Sequence, residues 1–304
     1  MVTNNRDHKD DHIDTALILA AGMGVRFRDV ISDRPKGFVE MNAFPIVERS
    51  VMQLQSIGIA DIIIVVGFES KYYETLAKRF TGIRVVDNKH YAHSGSMYSF
   101  CCAKELLSSS FLLLESDLVY ETRALEELVA THKSNAILTS DPTGAGDEVW
   151  VEMRGECVRS IPKTIANHKR AKGGSGVLRE LVGISKISPR LFKMMLEYAE
   201  SYFNQFDRHL NYEDCISNIA HKMDVSSYHI GDLLWGEIDD RSQFRRVQAE
   251  VFPKILRKEN ASIANVTVNN DVYSANYNVN KTERGSVKIT SSSRIKDVEK
   301  KNAG

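Results

Sequence analysis

The stretch LILAAGMGVRFRDVISDRPKG, residues 17–37, runs an apolar segment straight into a glycine-rich turn, and Arg26, Arg28, Arg34 and Lys36 follow it. A short apolar run that ends at glycine reads as a buried strand, with the turn at its carboxyl end. Backbone N–H groups in such a turn can surround phosphate. Dinucleotide enzymes, P-loop enzymes and nucleotidyltransferases all use a turn of this kind. The dinucleotide pattern needs a third small residue at position 27 for helix–strand packing, and that residue is Phe27. The P-loop ends in Gly-Lys-Ser/Thr, whereas Lys36 here lies between Pro35 and Gly37. What remains is a phosphate grip: the turn itself with Leu19, Ala20, Ala21, Gly22, Met23 and Gly24, a bidentate Arg26, and Lys36 as a mobile charge.

Beyond this stretch the chain alternates short apolar runs with amphipathic ones. DIIIVVGF (61–68), IRVVDN (83–88), SFLLLESDLVY (110–120) and NAILTS (135–140) read as strands. PIVERSVMQLQSIG (45–58), ESKYYETLAKRF (69–80), SGSMYSFCCAKELL (94–107) and TRALEELVATH (122–132) read as the helices between them. The expectation is an α/β fold with a mostly parallel, doubly wound central sheet covered on both faces. After Asp141 the rhythm changes. DEVWVEM and CVRSIPK alternate like an antiparallel hairpin around Arg154-Gly155, and a basic loop HKRAKGGSG (168–176) leads to the strand LRELVGISKIS. Two helices, a strand-and-turn ending in WGEIDD, and the helix DRSQFRRVQAEVFP complete the expected domain.

The expected organisation is a polar, disordered head over 1–13, one domain over 14–253 and an Asn/Ser/Lys-rich tail over 254–304. The tail has too few large apolar residues to offset its ordering entropy. With 40 basic and 40 acidic side chains, the chain lacks the basic excess of a general nucleic-acid binder. The polar N-terminus does not read as a secretory signal, and the longest apolar run, Ile62–Val66, is far short of a membrane span. Cys101, Cys102, Cys157 and Cys215 show no CxxC or metal spacing, as expected of thiols in a reducing compartment. These features point to a cytoplasmic protein that binds no nucleic acid and does not enter a membrane. The oligomeric state stays open, a homodimer included.

Three further constellations carry chemistry. Asp117 ends an apolar strand in LLLESDL, on the sheet edge where the glycine turn lies, and a carboxylate there suits a divalent metal. In WGEIDD, alternation puts Glu237 and Asp239 on one face, so that either can complete a Mg²⁺ site with Asp117. Gly95 and Ser96 open a helix whose free N–H groups can meet a base or phosphate, and Asn88 ends the strand before it. Trp150 and Trp235 stand near acidic residues, an arrangement that suits a small cation.

Taken together, AAGMGVRF and RPKGFVEMNAFPIVERSV resemble the signature of nucleotidyltransferases with a MobA-like, glycosyltransferase-A-type fold. In that signature a Ser or Thr stands where this chain has Val25. SGSMYSF, LLLESDLVYE, DPTGAGDEVWVE, ELVGISKIS and WGEIDD look like the 2-aminoethylphosphonate cytidylyltransferases, relatives of the phosphocholine cytidylyltransferases. The resemblance spans residues 15 to about 253. It implies Mg²⁺-dependent joining of CTP to 2-aminoethylphosphonate, with pyrophosphate released, for phosphonate-modified lipid or glycan synthesis. Phosphocholine or a sugar phosphate would be the alternative acceptor. It further implies that Lys36 and Arg26 hold the triphosphate, that Asp117 and Asp239 hold Mg²⁺, and that Gly95 and Ser96 meet the base. For the acceptor, Glu180, Glu213, Asp214, Trp150 and Trp235 are expected around an ammonium group and Lys163 at the phosphonate.

Overall fold

The computed structural model describes residues 13–28, 33–42, 44–162, 177–266, 278–281 and 287–290. The first strand, β1 (Thr15–Ala20), is followed by helix α1 (Ile46–Ser56), β2 (Asp61–Val66), α2 (Lys71–Arg79), β3 (Ile83–Asp87), α3 (Ser96–Cys102) and β4 (Phe111–Glu115). Next come β5 (Leu118–Tyr120), α4 (Arg123–Ala130), β6 (Ala136–Ser140), β7 (Trp150–Arg154), β8 (Cys157–Ser160), β9 (Leu178–Ile187), α5 (Pro189–Gln205) and α6 (Tyr212–Ile219). The chain then forms β10 (Ser226–His229), β11 (Trp235–Glu237), α7 (Arg241–Arg246) and α8 (Phe252–Val266).

The main sheet has the order β3-β2-β1-β4-β9-β6-β10-β8-β7. Its first four strands are parallel, with β1 in register against both β2 and β4. Successive residues of a strand face opposite ways, and the two faces bury alternate members of each apolar run. Leu17, Leu19, Ile63, Val65 and Leu113 join Met97, Phe192 and Ile216 from α3, α5 and α6 in one core. Ala16, Ile18, Ile62, Ile64 and Leu114 join Val51, Leu76 and Leu125 from α1, α2 and α4 in the other. This is the α/β, doubly wound arrangement expected from the continuous runs.

The sheet is mixed rather than mostly parallel. β9 runs antiparallel to both β4 and β6. Through its first residues β9 also pairs with β7, so that β9, β6, β10, β8 and β7 close into a ring of pairings. Gly183 makes the necessary break, with φ 85° where the β9–β6 register shifts.

A third core supports the edge where the glycine turn ends. Phe27, Val39, Met41, Ile46, Val119, Ile238, Val247, Phe252 and Ile255 pack there, and the rings of Phe27 and Phe244 are 5.8 Å apart. Phe27, unsuited to a dinucleotide fold, is the plug of this core. The core also corrects the expected domain end at residue 253. The helix passes through Pro253 and runs to Val266, with Ile255 fully buried. A π-helical turn, Val247–Val251, precedes the proline, and in it Phe252 N–H donates to the carbonyl of Val247. Such a widened turn re-spaces the backbone where proline offers no N–H. Further on, the Glu259 carboxylate accepts from Thr122 N at 3.0 Å and from Arg49 Nη2 at 2.9 Å, capping the start of α4 with negative charge. Residues 278–281 and 287–290 form an antiparallel pair. Residues 1–12 of the expected 1–13 head and the rest of the tail lie outside the described residues, as does the 168–176 loop. No helix among the described residues is long and apolar enough to cross a membrane.

Candidate active site

The carboxyl ends of β1 and β4 open into a cleft of about 360 Å³. Leu19, Ala20, Ala21 and Gly22 form one wall, Gly95 and Ser96 another, and Lys36, Asp117 and Asp239 the floor. A Cβ on Gly22 would meet nothing within 4 Å, so the turn leaves open space where a phosphate can approach the backbone. Gly37 is close-packed instead. A Cβ there would lie 2.9 Å from Tyr73 Oη and 3.3 Å from Ser116 O, so glycine is what lets the Lys36 segment press against the end of β4.

The acidic residues converge because β5 pairs antiparallel with β11, setting Glu237 opposite Leu118. Ile238 N then donates to Asp117 O at 3.0 Å and buries its side chain in the third core. Its neighbours Glu237 and Asp239 therefore face the cleft. Lys36 Nζ bonds Asp117 Oδ2 at 2.5 Å and also Asp239, which in turn receives Arg26. Burial works against the Lys36 charge, but the two aspartates outweigh it and hold its pKa above the ordinary lysine range.

Asp117 thus faces two groups. On one side are Lys36 and Asp239. On the other, oxygens of Glu115, Asp117 and Glu237 lie within 4.8 Å of one another. Burial, followed by the charges of Asp117 and Glu213, pushes Glu115 up to about 8, although Tyr212 Oη donates to it at 2.6 Å. Burial and the same crowd of carboxylates raise Glu237 well above its usual range. Three hard oxygen donors at such spacing suit a divalent cation of the Mg²⁺ type, which would relieve their repulsion. Asp117 and Asp239, the expected Mg²⁺ ligands, both bond the Lys36 ammonium. Glu115 escaped the sequence reading. Its signal was its position at the end of the apolar run, two residues before Asp117 in LLLESDL.

A second pocket of about 200 Å³ adjoins the cleft through Glu115, Glu213, Glu237 and Asp239. Arg26 and Asp147 stand at its rim, and Val149, Leu181 and Val182 form an apolar strip. Among the described residues no aromatic side chain lines it.

Of the expected acceptor residues that lie among the described ones, only Glu213 lines this pocket. Trp235 is buried in the core, and its Nε1 donates to Ser140 Oγ at 2.8 Å. Glu180 is buried and accepts from Thr143 Oγ1 at 2.9 Å, holding the 141–148 loop. Each is thus occupied by a fold contact. Trp150 pairs with Glu180 within the sheet and, like Asp214 in the first turn of α6, lines neither cavity. Lys163 lies outside the described residues. On the nucleotide side, Met23 and Gly24 leave the wall, since Gly24 turns left-handed to start the Val25–Phe27 turn. Asn88 is buried behind the cleft and donates to Ser94 Oγ at 3.0 Å and Ser99 Oγ at 2.9 Å. The Gly95 backbone is closely approached by Leu210 O, and Ser96 Oγ accepts from Tyr212 N at 3.0 Å, so both residues also hold the 208–212 segment.

The chain is similar to known proteins over much of this fold. A family model described as a MobA-like NTP transferase domain matches residues 16–184. The choline-phosphate cytidylyltransferase of Streptococcus pneumoniae is 38% identical over 98 residues, 32% of this chain and 42% of that protein. The CMP-5'-(3-aminopropyl)phosphonate synthase of Streptomyces rubellomurinus is 31% identical over 249 residues, 78% of this chain and 39% of that one. These alignments span less than half the length of either relative. A 2-aminoethylphosphonate cytidylyltransferase from Lancefieldella rimae is 24% identical over 74% of this chain and 87% of its own length. The inositol-1-phosphate CTP transferase structure from T. maritima superimposes with a TM-score of 0.67 at 20% identity, over 80% of this chain and 96% of that one, which shows a shared fold.

Proposed function

The chain belongs to the family of MobA-like NTP transferase domains, and on that footing we propose that it joins CTP to a small zwitterion, with 2-aminoethylphosphonate as first choice, and releases pyrophosphate. The observation that carries this reading is the pair of adjoining cavities and their charge. The cleft offers an open glycine turn with Lys36 at its floor, which suits a triphosphate. The pocket offers Glu213 for an ammonium group, Val149 and Leu181 for a methylene stem, and Arg26 for a phosphonate. A primary ammonium calls for hydrogen-bonding carboxylates, whereas a trimethylammonium calls for an aromatic cage.

In this reaction a phosphonate oxygen attacks the α-phosphorus of CTP in line. The new P–O bond forms as the bond to the β-phosphate breaks, and the electron pair leaves with pyrophosphate. The attacking oxygen is already ionised, so no strong general base is required. The work of the protein is positioning and charge neutralisation. Gly22 and its neighbours give backbone N–H groups to the phosphates. Lys36, held between Asp117 and Asp239, is fully charged and aimed at the transferring group. Glu115, Asp117 and Glu237 would hold a divalent cation, which when bound offsets charge on the triphosphate and the leaving group.

A second reading, transfer to phosphocholine, is favoured by the 38% identity to the pneumococcal choline-phosphate enzyme. Pyrophosphate release with Mg²⁺, each NTP in turn, and 2-aminoethylphosphonate, phosphocholine or a hexose phosphate separates the readings. Preference for CTP and the primary amine is expected. Preference for a hexose phosphate, or CTP binding with no turnover on any acceptor, overturns the proposal.

A further inference from the structure

The 141–149 loop, DPTGAGDEV, forms the outer rim of the acidic pocket through Asp147 and Val149. Nothing apolar anchors its middle. Residues 141–148 are exposed or half-buried, and Gly144 and Gly146 take left-handed conformations with φ of 71° and 100°. Such a segment adopts one conformation only where polar contacts impose it. One contact is the Glu180 carboxylate on Thr143, which ties the start of the loop to the sheet.

Another is Gln243. This residue, in the first turn of α7, is only 4% exposed, and both ends of its amide are engaged. Its Oε1 accepts from the backbone N of Asp239 at 2.6 Å, and its Nε2 donates to Asp147 Oδ1 at 2.7 Å. Its own backbone N donates to Asp240 Oδ1 at 2.9 Å, which caps the helix. Asp147 reaches Arg26 at 3.7 Å, and Arg26 bonds Asp239. A closed circuit therefore joins the glycine turn, the rim loop and the Asp239 segment. Arg26 and Asp147 in it are 63% and 37% exposed, so solvent weakens that link, and the buried amide is the firm member.

We infer that Gln243 is a positioning residue for the acceptor: it fixes Asp147 at the pocket rim relative to the Lys36–Asp239 pair. The inference rests on the pocket being the acceptor site. It requires a side chain that accepts at one end and donates at the other, which glutamine provides. A glutamate there keeps the bond from Asp239 N but sets an oxygen against Asp147.

Two measurements test it in the full chain. The first is amide hydrogen exchange of 144–148 with no substrate present. Gln243→Glu is expected to speed exchange in this loop while β1 and β4 keep their protection. Unchanged exchange overturns the inference whatever the enzyme's substrate proves to be. The second is steady-state kinetics with Mg²⁺, CTP and 2-aminoethylphosphonate. Gln243→Glu is expected to raise the acceptor KM about ten-fold or more, the effect of a lost hydrogen bond to a charged group, with the CTP KM within about two-fold. The double variant Gln243→Glu/Asp147→Asn restores a donor–acceptor pair and should recover at least part of the acceptor KM. Equal loss in both KM values, or no rescue, indicates a structural role only and contradicts the inference. Absence of wild-type turnover counts against the proposed acceptor, and the exchange result then decides the role of Gln243.

Discussion

The cleft and the pocket beside it are made in opposite ways. The cleft is fastened to the most buried part of the fold. Its glycine turn leaves a strand whose six residues are all buried, Asp117 follows another buried strand, and Lys36 is pressed against the latter by the close packing of Gly37. The pocket borrows one side from the cleft and takes its rim from a polar loop held by hydrogen bonds to Glu180 and Gln243 among others. In the proposed reaction the firmly packed part would face the nucleotide, and the loop-built part the acceptor. A fold of this kind can keep one transfer chemistry and change its acceptor by rebuilding a loop.

This contrast can be broken by substitution. Lys36→Ala should give the largest effect, a loss of turnover of about 10²–10³-fold or more, with both substrates affected and the folded circular dichroism spectrum retained. Normal turnover would remove the cleft from the reaction. Removing divalent metal with a chelator should likewise stop pyrophosphate release, and added Mg²⁺ should restore it; full activity in the chelator would deny the carboxylates of Glu115, Asp117 and Glu237 a metal role. Ile255→Ala empties a fully buried site in the third core and should cost about 2–5 kcal/mol of stability, read as a lower Tm. An unchanged Tm would mean that α8 does not support the site. Glu213→Gln should sharpen the comparison from the other side, raising the acceptor KM about ten-fold while leaving the CTP KM nearly constant. The smallest effect is expected for Trp235→Phe, which loses the bond to Ser140 and should cost about 1 kcal/mol of stability with no change in acceptor KM. A large rise in that KM would return Trp235 to the acceptor site.

The same contrast explains what the sequence could disclose. The parallel half was legible because Ile62–Val66 and Leu112–Leu114 are continuous apolar runs, and only a strand covered on both faces needs them. Lys36, Asp117 and Asp239 were legible because they close such runs or adjoin the glycine turn. Glu180 and Trp235 misled for one reason. A buried carboxylate and an indole near acidic residues read alike whether they face a ligand or the fold, and only the contacts to Thr143 and Ser140 decide. The passage of the helix through Pro253 was hidden because proline is a local stop signal, and its tolerance here depends on the preceding π turn and on Ile255 finding the third core. Gln243 carried no signal, since the partner of its amide, Asp147, lies 96 residues away in sequence.

The most direct test of the proposed chemistry is ³¹P NMR of the full chain incubated with Mg²⁺, CTP and 2-aminoethylphosphonate. The expected spectrum shows free pyrophosphate together with a new coupled pair of signals, one phosphate and one phosphonate, from a single P–O–P-linked product. Pyrophosphate formed without that coupled pair, or a coupled product appearing only with phosphocholine or a hexose phosphate, would contradict it.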